Sequence, residues 1–239
     1  MNREIFLATL EQRLRSPVRL ALAFAFVCFA AAPYLLMLVV KGMPRDLSAS
    51  THGGMLALVF AAGVLGQEFS SGAPQITFTR PLERWRWVLS RAAAVAVLAC
   101  VCALVPYVAA LAVGIPAGDV GLAMLEQVGQ ALGTTAVVTG LSAIVPGLTD
   151  LALLAGANIG FNILGMLGMV LQDAQAKMLA TRAKEFIEPW FSPRLDLVGL
   201  LHGATLSPHA LLVLVSTMLF WLTVAIAFAN RKELSYATD

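Results

Sequence analysis

Residues 209–229 read HALLVLVSTMLFWLTVAIAFA, a run with no Asp, Glu, Lys or Arg, and Asn230-Arg231-Lys232 closes it. About 20 apolar residues in a helix cross the hydrocarbon core of a bilayer. The stretch therefore reads as a transmembrane helix. Of the 239 residues, 59% are hydrophobic and 13% charged. Soluble domains average roughly 45–50% apolar and about 25% charged, so both departures point to a membrane. The net charge of +2 is too small to argue for a nucleic-acid partner. No Lys/Arg cluster with interleaved aromatics stands apart from the apolar runs.

Moving outward from 209–229, comparable runs lie at about 19–40, 52–67, 88–113, 121–146 and 150–170. The fold class that follows is an all-α membrane protein, one transmembrane domain over 1–239 with six transmembrane helices. The run at 52–67 is short and carries Gly53, Gly54, Gly63 and Gly66; the run at 88–113 carries Pro106. Proline is tolerated in membrane helices where neighbours re-satisfy the freed carbonyl. Basic residues before 19–40 and Ala30-Ala31-Ala32 within it imitate a secretory signal. The apolar run continues through Val40, longer than the roughly 7–15 residues of a signal core, so an uncleaved helix is expected. Cys28, Cys100 and Cys102 all sit in apolar runs and read as lipid-facing or packing residues.

Orientation follows from Lys and Arg. With the N-terminus inside, the inner segments hold ten of the 16: Arg3, Arg13, Arg15, Arg19, Arg80, Arg84, Arg86, Arg91, Arg231 and Lys232. Of the outer six, four lie in the 171–208 connection. Both termini are expected in the cytoplasm of a cell (inner or plasma) membrane.

Three segments are more than turns. Residues 2–15 form an amphipathic pattern, with Phe6, Leu10 and Leu14 on one side and Arg3, Glu4, Glu11, Arg13 and Arg15 on the other. Such a helix lies in the interface, and Ser16-Pro17 bends it into the first span. Residues 68–87 are a cytoplasmic loop with apolar anchors Phe69, Ile76, Phe78, Leu82 and Trp85, and charges Arg80, Glu83, Arg84 and Arg86. A short helix of this kind docks into a groove on a soluble partner or rests on anionic lipid. Residues 171–208 form an external loop. Short helices there are expected to dip into or lie on the outer interface, the amphipathic stretch around Met178, Leu179, Phe186 and Ile187 being broken by Pro189-Trp190-Phe191.

No Lys is preceded by Gly, so the phosphate-binding G-x-x-x-x-G-K-[ST] loop is absent. Ionisable and polar residues within spans are functional candidates. Glu126, with Gln127 and Gln130, reads either as polar lining or proton site of an exit path, or as an interfacial carboxylate reaching the headgroups. Asn158 and Asn162 share a helix face, as do Gly156 and Gly160 in a small-xxx-small pattern. These four read as a subunit interface or path lining, or as ordinary bonding within the bundle. Ser142 and His209 imitate a serine–histidine pair but belong to opposite ends of their spans, whereas a nucleophile and its base stand within about 3.2 Å. No metal-ligand spacing is present.

The 68–91 segment resembles that of ABC-2 type transporter permeases. In that family the second span ends in Glu, with Gly after it, then Pro-x-x-Arg and a basic residue opening the third span. Here those are Glu68, Gly72, Pro81, Arg84 and Arg91; many members have Lys where Arg91 stands. Leu14-Arg15-Ser16-Pro17 is similar to the end of the family's elbow helix. Ser192-Pro193 and Asn230-Arg231-Lys232-Glu233-Leu234 are similar to its outer-loop and C-terminal elements. The resemblance implies an exporter permease working as a dimer, with a second copy or a homologue. It implies two copies of a separate cytoplasmic ATPase, which would bind ATP and Mg, no cofactor in this chain, and no enzymatic activity of its own. It implies a cytoplasmic coupling helix between spans 2 and 3, in which Glu68, Gly72, Phe78, Arg80, Pro81, Arg84, Trp85 and Arg86 meet the ATPase. Glu126, Gln127, Gln130, Gly156, Asn158, Gly160 and Asn162 are the path or dimer-interface candidates. Membrane lipids are expected neighbours. The alternatives are a proton-coupled secondary transporter using Glu126, and a non-transporting immunity or sequestration protein.

Overall fold

The computed structural model describes residues 2–40, 47, 52–71, 83–145, 149–170, 174–193, 195–203, 205 and 207–231. Its regular elements are all helical. They are α1 (Arg3–Leu14), α2 (Pro17–Val39), α3 (His52–Ala61), α4 (Gly66–Ser71), α5 (Arg84–Leu104), α6 (Pro106–Ala112), α7 (Ala117–Ile144), α8 (Thr149–Val170), α9 (Ala174–Phe191) and α10 (Pro208–Arg231). A 3-10 helix at Val198–His202 precedes α10.

Among the described residues, four stretches are long and apolar enough to cross a membrane: Pro17–Val39, Arg84–Ala112, Thr149–Met166 and Pro208–Arg231. The large apolar side chains Phe24, Phe29 and Val39 of α2 are exposed, as suits a helix against lipid. The protein is thus an all-α membrane protein. Proline shapes two of these elements. Pro17 opens α2, where its missing N–H is no loss. Pro106 ends α5 and starts α6, so the 88–113 run is two helices meeting at Val105.

α7 occupies the centre, touching α3, α4, α5, α6, α8, α9 and α10. It carries Glu126, Gln127, Gln130, Thr134, Thr135, Thr139 and Ser142, all buried. Protein rather than lipid surrounds these groups, which is why so polar a helix is stable there. The core against it is built from Leu56, Phe60, Leu65, Trp87, Val95, Val138, Leu141 and Trp221, with alanines between them. Such small residues let helices approach closely.

Two expectations need correction. The run at 52–67 is not one helix: Ala62–Leu65 is a turn, with Gly63 at φ +63. The amphipathic stretch in 171–208 is not broken at Pro189; α9 runs through to Phe191 with the proline inside it. α9 lies against neighbouring helices. It packs antiparallel on α8, with Lys184 against Gly165 and the Phe191 ring 6.1 Å from Phe161. Its end meets Trp221, whose Nε1 donates to Trp190 O at 2.6 Å. Trp221 stands about 20 Å along α10 from Pro208 at roughly 1.5 Å per residue. The chain then returns along α7, Pro193 beside Gly133 and Leu195 beside Gly129. α9 and the 195–203 stretch therefore form a hairpin.

Candidate functional site

At the tip of this hairpin a cavity of about 220 Å³ lies between α3, α7, α8 and α9. Three pairs of polar residues, each one helical turn apart, line it: Gln130 and Thr134 of α7, Asn158 and Asn162 of α8, Lys184 and Glu188 of α9. Residues four apart share a helix face, so each helix turns one polar strip to the same void. Lys184 Nζ is 3.9 Å from Glu188 Oε2, and Asn158 Nδ2 donates to Leu154 O at 2.9 Å. Met55, Leu58, Phe161 and Phe191 complete the wall. Amides, a hydroxyl and one charge of each sign on a partly apolar wall can solvate the polar end of an amphipathic molecule.

Glu126 and Gln127 are placed differently. Glu126 is buried, and its Oε2 accepts from Leu197 N at 2.8 Å and Val198 N at 2.9 Å. Its carboxylate holds the start of the 3-10 helix. Gln127 Oε1 accepts from Gly53 N at 2.9 Å, at the start of α3. Both side chains supply acceptors to helix-start N–H groups that otherwise lack partners.

A second polar cluster surrounds the Ala62–Leu65 turn. A broken helix leaves N–H and C=O groups unpaired, and burial makes that costly. Five side chains from five helices supply the partners. Ala62 O accepts from Arg13 Nη1 at 3.0 Å and Arg19 Nη2 at 3.4 Å. Val64 O accepts from Arg91 Nη1 at 3.3 Å. Gly63 N donates to Asp150 Oδ2 at 2.7 Å. Leu65 N and Gly66 N donate to Ser142 Oγ at 3.0 and 2.8 Å. Arg91 also stacks on Trp87, 4.9 Å from the ring centroid. Arg13 was expected on the solvent side of α1, yet it is buried while Leu7 and Leu14 are exposed. The orphaned Ala62 carbonyl accounts for the inversion.

Of the loop residues, Gly72, Phe78, Arg80 and Pro81 lie outside the described residues, as does the Glu68 side chain, although Glu68 belongs to α4. Arg84 Nη1 donates to Asn230 O at 3.0 Å, tying the loop's end to the end of α10. Trp85 is exposed beneath Arg86, whose Nε pairs with Glu83 at 2.7 Å. On α8, a Cβ added at Gly156 or Gly160 would meet nothing within 4 Å. The small-residue pattern therefore makes no close approach to any described part of this chain.

The structure thus brings Gln130, Asn158 and Asn162 together and leaves Glu126 and Gln127 as caps. Sequence reasoning missed Thr134, Lys184 and Glu188 in the cavity, and Arg13, Arg19, Ser142 and Asp150 at the joint. Asp150 had a signal: an acid opening an apolar run. Ser142 and His209 are not brought together. Ser142 sits beyond Gly140, which abuts Trp221, and His209 lies about 18 Å along α10 from Trp221. Neither the family models nor the curated proteins compared with this chain give a match.

Proposed function

We propose that this chain is the transmembrane permease subunit of an ATP-binding-cassette exporter, working as a dimer and driven by a separate cytoplasmic ATPase. In this reading six spans cross the membrane: α2, α3–α4, α5–α6, α7, α8 and α10. Both termini are cytoplasmic. α3 and α4 with their turn cover 52–71, about 30 Å at 1.5 Å per residue, and α7 is long enough by itself.

The observation that carries the reading is the joint. α4 leads directly into the 68–87 loop, where the resemblance puts the ATPase contact. The turn before α4 is hydrogen-bonded to α1, α2, α5, α7 and α8 through Arg13, Arg19, Arg91, Ser142 and Asp150. A push on the loop therefore acts on the inner ends of most of the bundle at once. ATP closure would favour one of two arrangements of these helices by binding it better, with no chemistry in this chain. The cavity at Gln130, Asn158 and Lys184 supplies a polar station along the path. α8 supplies the dimer face: it is the least apolar of the four long spans yet no more buried than α2, and its Gly156 and Gly160 are bare.

Tagging the chain in its native membrane and identifying co-purified proteins tests this. A nucleotide-binding ATPase is expected, with its ATP-driven transport lost in the Arg84→Ala, Trp85→Ala double variant. Transport driven by a pH gradient with no ATPase bound would overturn the proposal in favour of a secondary transporter. ATP-independent ligand binding without transport would favour sequestration.

A further inference from the structure

A second groove, of about 490 Å³, runs between α2 and α3. At one end its lining is polar: Ser16, Arg19 and Gln67. From there the walls turn apolar, through Leu22 and Phe26 along α2 and Val59 and Met55 along α3. The stretch from Arg19 to Phe26 rises about 10 Å at roughly 1.5 Å per residue. Val18 and Leu22, on the open flank, are exposed. A cationic end at the start of a span, continued by a hydrocarbon trough open sideways to the bilayer, has the polarity of one phospholipid.

We propose that this groove binds an anionic phospholipid of the leaflet in which Arg19 lies, its phosphate on the Arg19 guanidinium and one acyl chain along Leu22, Phe26 and Val59. Charge decides the headgroup. Among the described residues the guanidiniums of Arg13, Arg19 and Arg91 converge on the turn's carbonyls, and Asp150 is an acid hydrogen-bonded there. Arg19 is half-buried, and among the described residues its hydrogen bond goes to Ala62 O at a long 3.4 Å. A guanidinium has five N–H donors in a fork that matches phosphate oxygens. By the Lys/Arg asymmetry this end faces the cytoplasmic leaflet, which carries the anionic lipids. A bound phosphate pairs with the Arg19 guanidinium, so lipid occupancy steadies the joint. The trough excludes a small hydrated anion as the fitting occupant, since its apolar walls would have nothing to bury. The site depends on the membrane setting and not on any ATPase.

The test uses the full chain in nanodiscs of phosphatidylcholine with increasing phosphatidylglycerol, read by thermal unfolding and by native mass spectrometry of retained lipid. Phosphatidylglycerol is expected to raise the unfolding temperature and stay bound. Arg19→Gln should lose about fivefold in apparent lipid affinity, the scale of one basic residue at an anionic surface. Arg19→Lys should keep most of it, and Val59→Trp, which fills the trough with the charge intact, should lose it. Arg15→Gln, on an exposed residue paired with Glu11, should change nothing. Should Arg19→Gln fail to fold, the contrast between Arg19→Lys and Val59→Trp decides. The proposal is overturned if Val59→Trp retains the lipid effect, if Arg15→Gln weakens it as much as Arg19→Gln, or if inorganic phosphate with phosphatidylcholine reproduces it.

Discussion

Ser142 holds the N–H groups of Leu65, at the end of the turn, and Gly66, at the start of α4, on one hydroxyl. Replacing it by Ala leaves both buried without an acceptor, at about 1–3 kcal/mol each. The expected result is a clear drop in unfolding temperature in detergent, while Thr at this position, which keeps the oxygen, falls less. An unchanged Ser142→Ala would mean that the turn finds other partners. Gly140 makes the opposite kind of demand. A Cβ there would stand 2.5 Å from Trp221 Cε3 and 2.9 Å from Trp221 O. Backbone cannot yield as a flexible side chain can, so Gly140→Ala should destabilise by about 1–3 kcal/mol through overpacking. Gly156→Ala, into open space, should leave the single chain's unfolding temperature where it is. Both glycines lie within long helices, and the neighbour tells them apart.

Among the elements, the hairpin of α9 and 195–203 owes most to distant partners. Its amphipathic pattern is legible, but a surface helix and an inserted one share that pattern. The difference comes from partners distant in sequence: Gly165 makes room for Lys184, Trp221 donates to Trp190, and Glu126 caps Leu197 and Val198. Glu126→Ala should release the 195–203 segment, costing about 3 kcal/mol for hydrogen bonds to a charged acceptor and opening it to protease. Glu126→Gln keeps a carbonyl acceptor and should behave much nearer to the parent. Equal protection in both variants would show that the cap is dispensable.

For the molecule as a whole, the proposed dimer rests on α8. With the native cysteines replaced by Ser, Gly156→Cys is expected to form an intermolecular disulfide in membranes, since an interface there brings the two Cα atoms within the roughly 4.4–6.8 Å that a bridge needs. Cysteine at lipid-facing Phe24 serves as the control. Cross-linking at Phe24 but not at Gly156 would move the interface to α2. Such a face cannot be recognised from one helix, because small residues serve packing within a chain and between chains equally well.

Composition and the length of the apolar runs determined by themselves that this is an all-α membrane protein, because a helix facing lipid must be apolar over a fixed length whatever its neighbours are. They also located Gln130, Asn158 and Asn162, since polar amides inside such runs are conspicuous. Only the tertiary structure decided that Lys184 and Glu188 join them, that Glu126 is a cap, and that Arg13 turns inward. Each of these depends on which unpaired backbone group or void a neighbouring helix presents, and that is set by packing between segments far apart in the chain.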